Sequence, residues 1–125
     1  MIKKKIILSL LVGVSAILVL TPKKINVFYL NSIETKVLKI TLFLDGNEIE
    51  KNEIVYSYLF PQKASGLYVN LGYHDIKIKC DELKIEKSVK VFALFRNNIE
   101  FEFTGNDEDG FNVIERDSWF DLVYE

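Results

Sequence analysis

From Leu67 to Cys80 the chain reads LYVNLGYHDIKIKC, and in its second half apolar residues recur at every second position. Ile76, Ile78 and Cys80 fall on one side of an extended chain and Asp75, Lys77 and Lys79 on the other, because strand side chains point alternately to opposite faces. A period of two does not suit an amphipathic helix, so this stretch commits the chain to a β-sheet with one buried and one wet face. Leu67 and Val69 alternate in the same way with Tyr68 and Asn70, and Gly72 can take the positive φ that a tight reversal requires. A hairpin of two short strands about Asn70-Leu71-Gly72-Tyr73 is the expectation.

The same alternation recurs along the chain. In Lys36 to Leu44, Leu38, Ile40, Leu42 and Leu44 share one side, and Asp45-Gly46 is a hairpin signal into Asn47 to Glu50. Glu53 to Phe60 places Ile54, Tyr56, Tyr58 and Phe60 on one face and ends at Pro61, which cannot donate to a ladder. Gln62 to Gly66 reads as a loop. Asp81-Glu82 turns the chain into Leu83 to Phe95, one long or bulged strand alternating through Val89, Val91, Ala93 and Phe95, and Arg96-Asn97-Asn98 reads as the next turn. Ile99 to Thr104 points Ile99, Phe101 and Phe103 inward and Glu100 and Glu102 outward.

Ile25 to Glu34 is mixed and reads as a first strand or a linker. Phe111 to Glu125 reads as a final strand or a short helix carrying Trp119 and Phe120. Six to eight short strands separated by turns predict a mainly β chain, an antiparallel β-sandwich of immunoglobulin-like or prealbumin-like type. The sandwich is expected over Lys36 to Thr104 within a single domain of residues 25–125, with Leu42, Ile76, Ile78, Val91, Phe101 and Phe103 in its core.

Ahead of that domain, residues 1–24 form a separate unit. Met1 to Lys5 is basic and Ile6 to Leu20 is an uninterrupted apolar run of 15 residues, between the length of a signal-peptide core and that of a comfortable span. Lys23 and Lys24 follow as they would at the far interface of an anchor, where long cationic side chains reach back to water. A hydrophobic helix acting as a single-pass membrane anchor, with the domain outside, is the expectation. Its alternative is a signal peptide cut after Val14-Ser15-Ala16 and a secreted or periplasmic domain.

Charge excludes some partners. From Ile25 onward, eleven Lys and Arg face eighteen Asp and Glu, a net charge of −7. This disfavours nucleic acid, whose binding depends on cations neutralising phosphates, and electrostatic docking on anionic lipid. One cysteine, Cys80, allows no intrachain disulfide and sits on the apolar side of its strand, where it reads as a small buried hydrophobe.

No residue pattern specifies chemistry. Gly105 to Gly110 (GNDEDG) carries oxygen ligands, but aligning Gly110 with the glycine of a helix-loop-helix calcium loop puts Gly105 at the first ligand position and Arg116 where a bidentate Glu belongs. The stretch therefore reads as a solvated turn, with a calcium-dependent binding domain as an alternative. His74 is the only histidine, which leaves zinc without a ligand set, and Asp75 lies across the strand from it. The carboxylates fall at outward positions or in turns. No catalytic, cofactor-binding or metal residue is assigned.

Leu71 to Ile78 (LGYHDIKI) is similar to the strand-corner-strand element of PEGA surface modules and of small prealbumin-like sandwiches, and Leu42 to Gly46 (LFLDG) corresponds to the strand and turn that precede it. The resemblance covers about half of the soluble part. It implies a non-catalytic surface or envelope module and carries no site residues across. The function expected is a membrane-tethered or exported interaction module, with a small envelope enzyme as the alternative. From Glu100 onward nine carboxylates face Arg116 alone, which points to a basic protein partner.

Overall fold

A computed structural model describes residues 2–57, 60–94 and 96–118. One helix, α1 (Ile2–Leu20), precedes eight strands: β1 (Lys23–Asn31), β2 (Leu38–Leu44), β3 (Asn47–Ile54), β4 (Gln62–Val69), β5 (Gly72–Cys80), β6 (Ile85–Ala93), β7 (Arg96–Asn106) and β8 (Gly110–Ser118). They form two four-stranded sheets, ordered β4-β1-β7-β8 and β3-β2-β5-β6. Neighbours pair antiparallel except β1 and β7, which run parallel over eight residue pairs.

Both sheets direct their apolar alternates into one core. Ile25, Val27 and Tyr29 of β1 and Ile99, Phe101 and Phe103 of β7 meet Leu38, Ile40 and Leu42 of β2 and Ile76, Ile78 and Cys80 of β5. All six residues expected in the core are buried there. Burying a phenylalanine or isoleucine side chain contributes about 1.5–3 kcal/mol, so these positions hold the two layers together.

The expected hairpin at Leu67 to Cys80 is a crossing between sheets. β4 pairs with β1, whereas β5 pairs with β2 and β6, and Asn70 and Leu71 carry the chain from one layer to the other. Gly72, at φ 129°, supplies the left-handed conformation the corner needs. A two-residue connection serves a hairpin or a sheet-to-sheet corner equally, and the ladder available on β1 decides between them.

Other boundaries move for related reasons. Gln62 to Gly66, expected as a loop, is the first half of β4 and lies along β1. The strand expected over Glu53 to Phe60 stops at Ile54. Tyr56 forms an isolated bridge with Asn31 outside any strand, Tyr56 and Phe60 are exposed, and Tyr58 lies outside the described residues. Asn47 to Ile54 is instead one strand at a sheet edge, whose exposed charges discourage further pairing. Arg96 to Asn98, expected as a turn, opens β7, and Asn97 and Asn98 are buried.

β1 begins two residues before Ile25. The segment beginning Ile25 is an inner strand of its sheet, and Lys23 is only 3% exposed at its first position. Lys23 therefore belongs to the fold and is not free to reach from a membrane interface to water. Phe111 to Ser118 continues β8, while Phe95, Trp119, Phe120 and the rest of 119–125 lie outside the described residues.

In α1 every described side chain from Lys3 to Ile17, and Leu20, is exposed. Among the described residues no helix is long and apolar enough to cross a membrane. The run Ile6 to Leu20 rises only about 22 Å at 1.5 Å per residue, against a hydrocarbon thickness of about 30 Å. The transmembrane span expected from the sequence is therefore not found.

Candidate functional site

The eight strands alternate in direction, so the connections gather at two ends. At the end where α1 joins β1 lie the β2–β3 turn, the β4–β5 corner and the β6–β7 connection. At the other end lie the β1–β2, β3–β4, β5–β6 and β7–β8 connections.

At the first end the structure brings together residues that are far apart in sequence. Pairing of Leu44 with Ile76 sets the β2–β3 turn beside the start of β5. There the Asp45 amide donates to the Asp75 carbonyl at 2.8 Å, and the Asp75 amide donates to Asp45 Oδ1 at 2.8 Å. His74 Nδ1 lies 2.7 Å from Asp45 Oδ2, and His74 Nε2 lies 2.7 Å from the Asn70 carbonyl oxygen. Both partners are acceptors, so only the imidazolium, with two N–H groups, satisfies both contacts.

The electrostatics agree with that geometry. Partial burial pulls the His74 pKa down, but hydrogen bonds to Asp45 and the Asn70 carbonyl, with the charges of Asp45 and Asp75, outweigh it and hold it above the ordinary value. The hydrogen bond from His74 holds the Asp45 carboxyl below its ordinary value. With both ring nitrogens engaged, His74 has no lone pair for a proton or a metal. It ties the β2–β3 turn to the corner between sheets. The sequence offers Asp75 as the neighbouring carboxylate, across the strand from His74. The carboxylate that hydrogen-bonds His74 is that of Asp45, a partner visible only once β2 is paired with β5.

At the other end, the stretch considered for calcium is the β7–β8 turn. The Asp109 amide donates to Asn106 Oδ1 at 2.6 Å, Asn106 Nδ2 donates to Asp109 Oδ2 at 3.3 Å, and Lys36 Nζ stands 3.9 Å from Asp107. Two of its side-chain oxygens are thus used within the turn and a third faces Lys36. Beside it a cavity of about 360 Å³ is lined by Ser32, Glu34, Thr35, Asn106, Asp107 and Phe111, among others. No group of three or more His, Cys, Asp or Glu among the described residues is arranged to hold a metal ion.

The remaining reactive side chains have structural surroundings. Cys80 is fully buried, and burial pushes its thiol pKa up, with Glu82 adding to the effect. The Tyr29 hydroxyl lies in the core, where burial, and after it the Glu50 charge, pushes its pKa up. Glu100, expected to point to water, is 4% exposed, and Arg116 Nη1 lies 3.8 Å from it and 2.8 Å from Glu102.

No protein-family model matches the chain, and comparison with curated proteins gives no match.

Proposed function

We propose that this chain is a non-catalytic, membrane-tethered module of the cell envelope, with the N-terminal helix as address and tether and the β domain as an interaction surface on the outer side. The observation that carries the reading is the contrast between the two parts. The β domain closes a core from its own strands, while α1 leaves its large apolar side chains, Ile6 to Val14 and Ile17 among them, exposed. Such a helix is costly in water and favourable in lipid, and the lysines at Lys3 to Lys5 suit the cytoplasmic side. Insertion does not require a full straight span, since bilayer thinning and flanking side chains accommodate a short apolar run.

We further infer that the two sheets form a prealbumin-like sandwich. Two four-stranded layers with a parallel β1–β7 contact inside one of them support it, and the likeness to PEGA surface modules at Leu71 to Ile78 fits the same reading. The non-catalytic assignment rests on His74, whose two ring nitrogens are both engaged. The acidic turn Asp107-Glu108-Asp109 is the surface offered to a basic protein partner.

Fractionation followed by protease treatment of intact cells tests the arrangement. The expected result is a full-length chain in the membrane fraction whose β domain is digested from outside. Recovery in the soluble cytoplasm overturns the proposal, and a mature N-terminus at Ile17 overturns the tether in favour of a cleaved export signal.

A further inference from the structure

The two ends of the β domain differ in chemistry. At the end remote from α1, the described connections carry six carboxylates (Glu34, Asp81, Glu82, Asp107, Glu108 and Asp109) and two lysines, Lys36 and Lys84. At the end where α1 joins, the described connections are Thr21, Pro22, Asp45, Gly46, Asn70, Leu71 and Leu94, with one charge, Asp45, which is paired with His74. The net charge of the whole domain conceals this polarity.

Exposed aromatic rings stand at the same low-charge end on both outer faces. Tyr68, 69% exposed, pairs in register with Lys24, whose ammonium lies 5.8 Å from the ring centroid. On the other sheet Tyr73, 70% exposed, stands beside Phe92, 38% exposed, with ring centroids 4.9 Å apart. Lys24 follows the last residue of α1 by four positions, a reach of at most about 14 Å. The apolar helix thus joins the domain at the end that carries Tyr68, Tyr73 and Phe92.

We propose that the helix-proximal end of the β domain docks on the lipid–water interface, with Tyr68, Tyr73 and Phe92 seated at headgroup level and the acidic turns directed away. This rests on the tether proposed above. Tyrosine suits that boundary because its ring prefers the acyl edge and its hydroxyl prefers water. The scarcity of charge in the connections keeps the desolvation cost of approach small. Lys24 beside Tyr68 can reach phosphate groups while its stem stays in apolar surroundings. The carboxylate-rich end would be repelled by an anionic surface, so the charge polarity favours the same orientation.

The test uses the full chain bound to phosphatidylcholine vesicles, with one nitroxide label placed by Tyr68→Cys, Tyr73→Cys or Glu108→Cys. Cys80 is fully buried and stays native, and the unsubstituted chain serves as the labelling control. Collision with a water-soluble nickel chelate is compared with collision with oxygen. The expected result is chelate access several-fold lower at positions 68 and 73 than at position 108. Vesicle binding with equal access at both ends overturns the docking and leaves the tether standing. Failure of the unsubstituted chain to sediment with vesicles overturns both.

Discussion

His74 and Asp45 are 29 positions apart in sequence, yet a ring nitrogen of one lies 2.7 Å from a carboxylate oxygen of the other. The pair joins the β2–β3 turn to the start of β5, and the second ring nitrogen extends the tie to Asn70 in the corner between sheets. It is a polar clasp at the end of an otherwise apolar joint.

The clasp makes stability depend on pH in a defined window. His74 has a folded pKa above its ordinary value of 6.5, so its contribution is complete below about pH 6.5 and is lost as pH rises through the folded pKa. Asp45 has a folded pKa below its ordinary 3.8, so its contribution is present above about pH 4 and is lost as pH falls through the folded pKa. Asp45→Asn, which tolerates the positive φ of 49° at this position, should cost about 1 kcal/mol at pH 6, a charged hydrogen bond discounted for exposure. Thermal melting from pH 5 to 9 should show the wild type losing this margin on the alkaline side and the variant losing none. An NMR titration placing His74 below 6.5 would contradict the geometry.

Phe101 is fully buried between the sheets. Phe101→Ala should destabilise the domain by about 3–5 kcal/mol in urea unfolding, the usual loss when a buried ring leaves a cavity. Tyr73→Ala, at an exposed site, should stay within about 0.5 kcal/mol of wild type. Equal losses would mean the two-layer core is wrongly drawn.

Gly105 has φ 121°, and an added Cβ would strike the Gly110 carbonyl oxygen and approach the Phe111 Cα to 2.8 Å. Both obstacles are backbone across the β7–β8 ladder, so neither can swing aside. Gly105→Ala should cost about 1–3 kcal/mol, the scale of local backbone strain. Gly13→Ala in α1, where nothing lies within 4 Å, should leave the melting of the β domain unchanged.

Changing Asp107→Asn, Glu108→Gln and Asp109→Asn together should leave stability nearly unaltered, since the Lys36–Asp107 contact at 3.9 Å is exposed and such pairs contribute at most about 1 kcal/mol. A pull-down with the triple variant should lose a basic partner that the wild type retains. Unchanged capture would remove the acidic turn from the interaction surface. A calcium-dependent rise in wild-type melting temperature, absent from the variant, would revive the calcium alternative.

Much of the strand content was legible because alternation is local. Ile76, Ile78 and Cys80, or Ile99, Phe101 and Phe103, reveal a buried face without knowledge of any partner. β1 was obscure for the converse reason. In KKINVFYLN the outward-facing Asn26 is also buried, so the alternation that marks a half-exposed strand is blurred. The clasp was illegible because Asp-Gly reads as an ordinary turn until the register of β2 on β5 brings Asp45 beside His74.

By itself, then, the sequence determined the β class and the inward residues of several strands. These follow from side-chain periodicity and composition, which are properties of neighbouring residues. Only the tertiary structure decided that β4 leaves β5 for β1, that Lys23 and Glu100 are buried, that His74 binds Asp45, and that the carboxylates of the connections collect at the end remote from α1. Each depends on which strand lies beside which. That choice is made by the joint burial of two sheets, where pairings between distant segments compete and no single stretch of chain contains the answer.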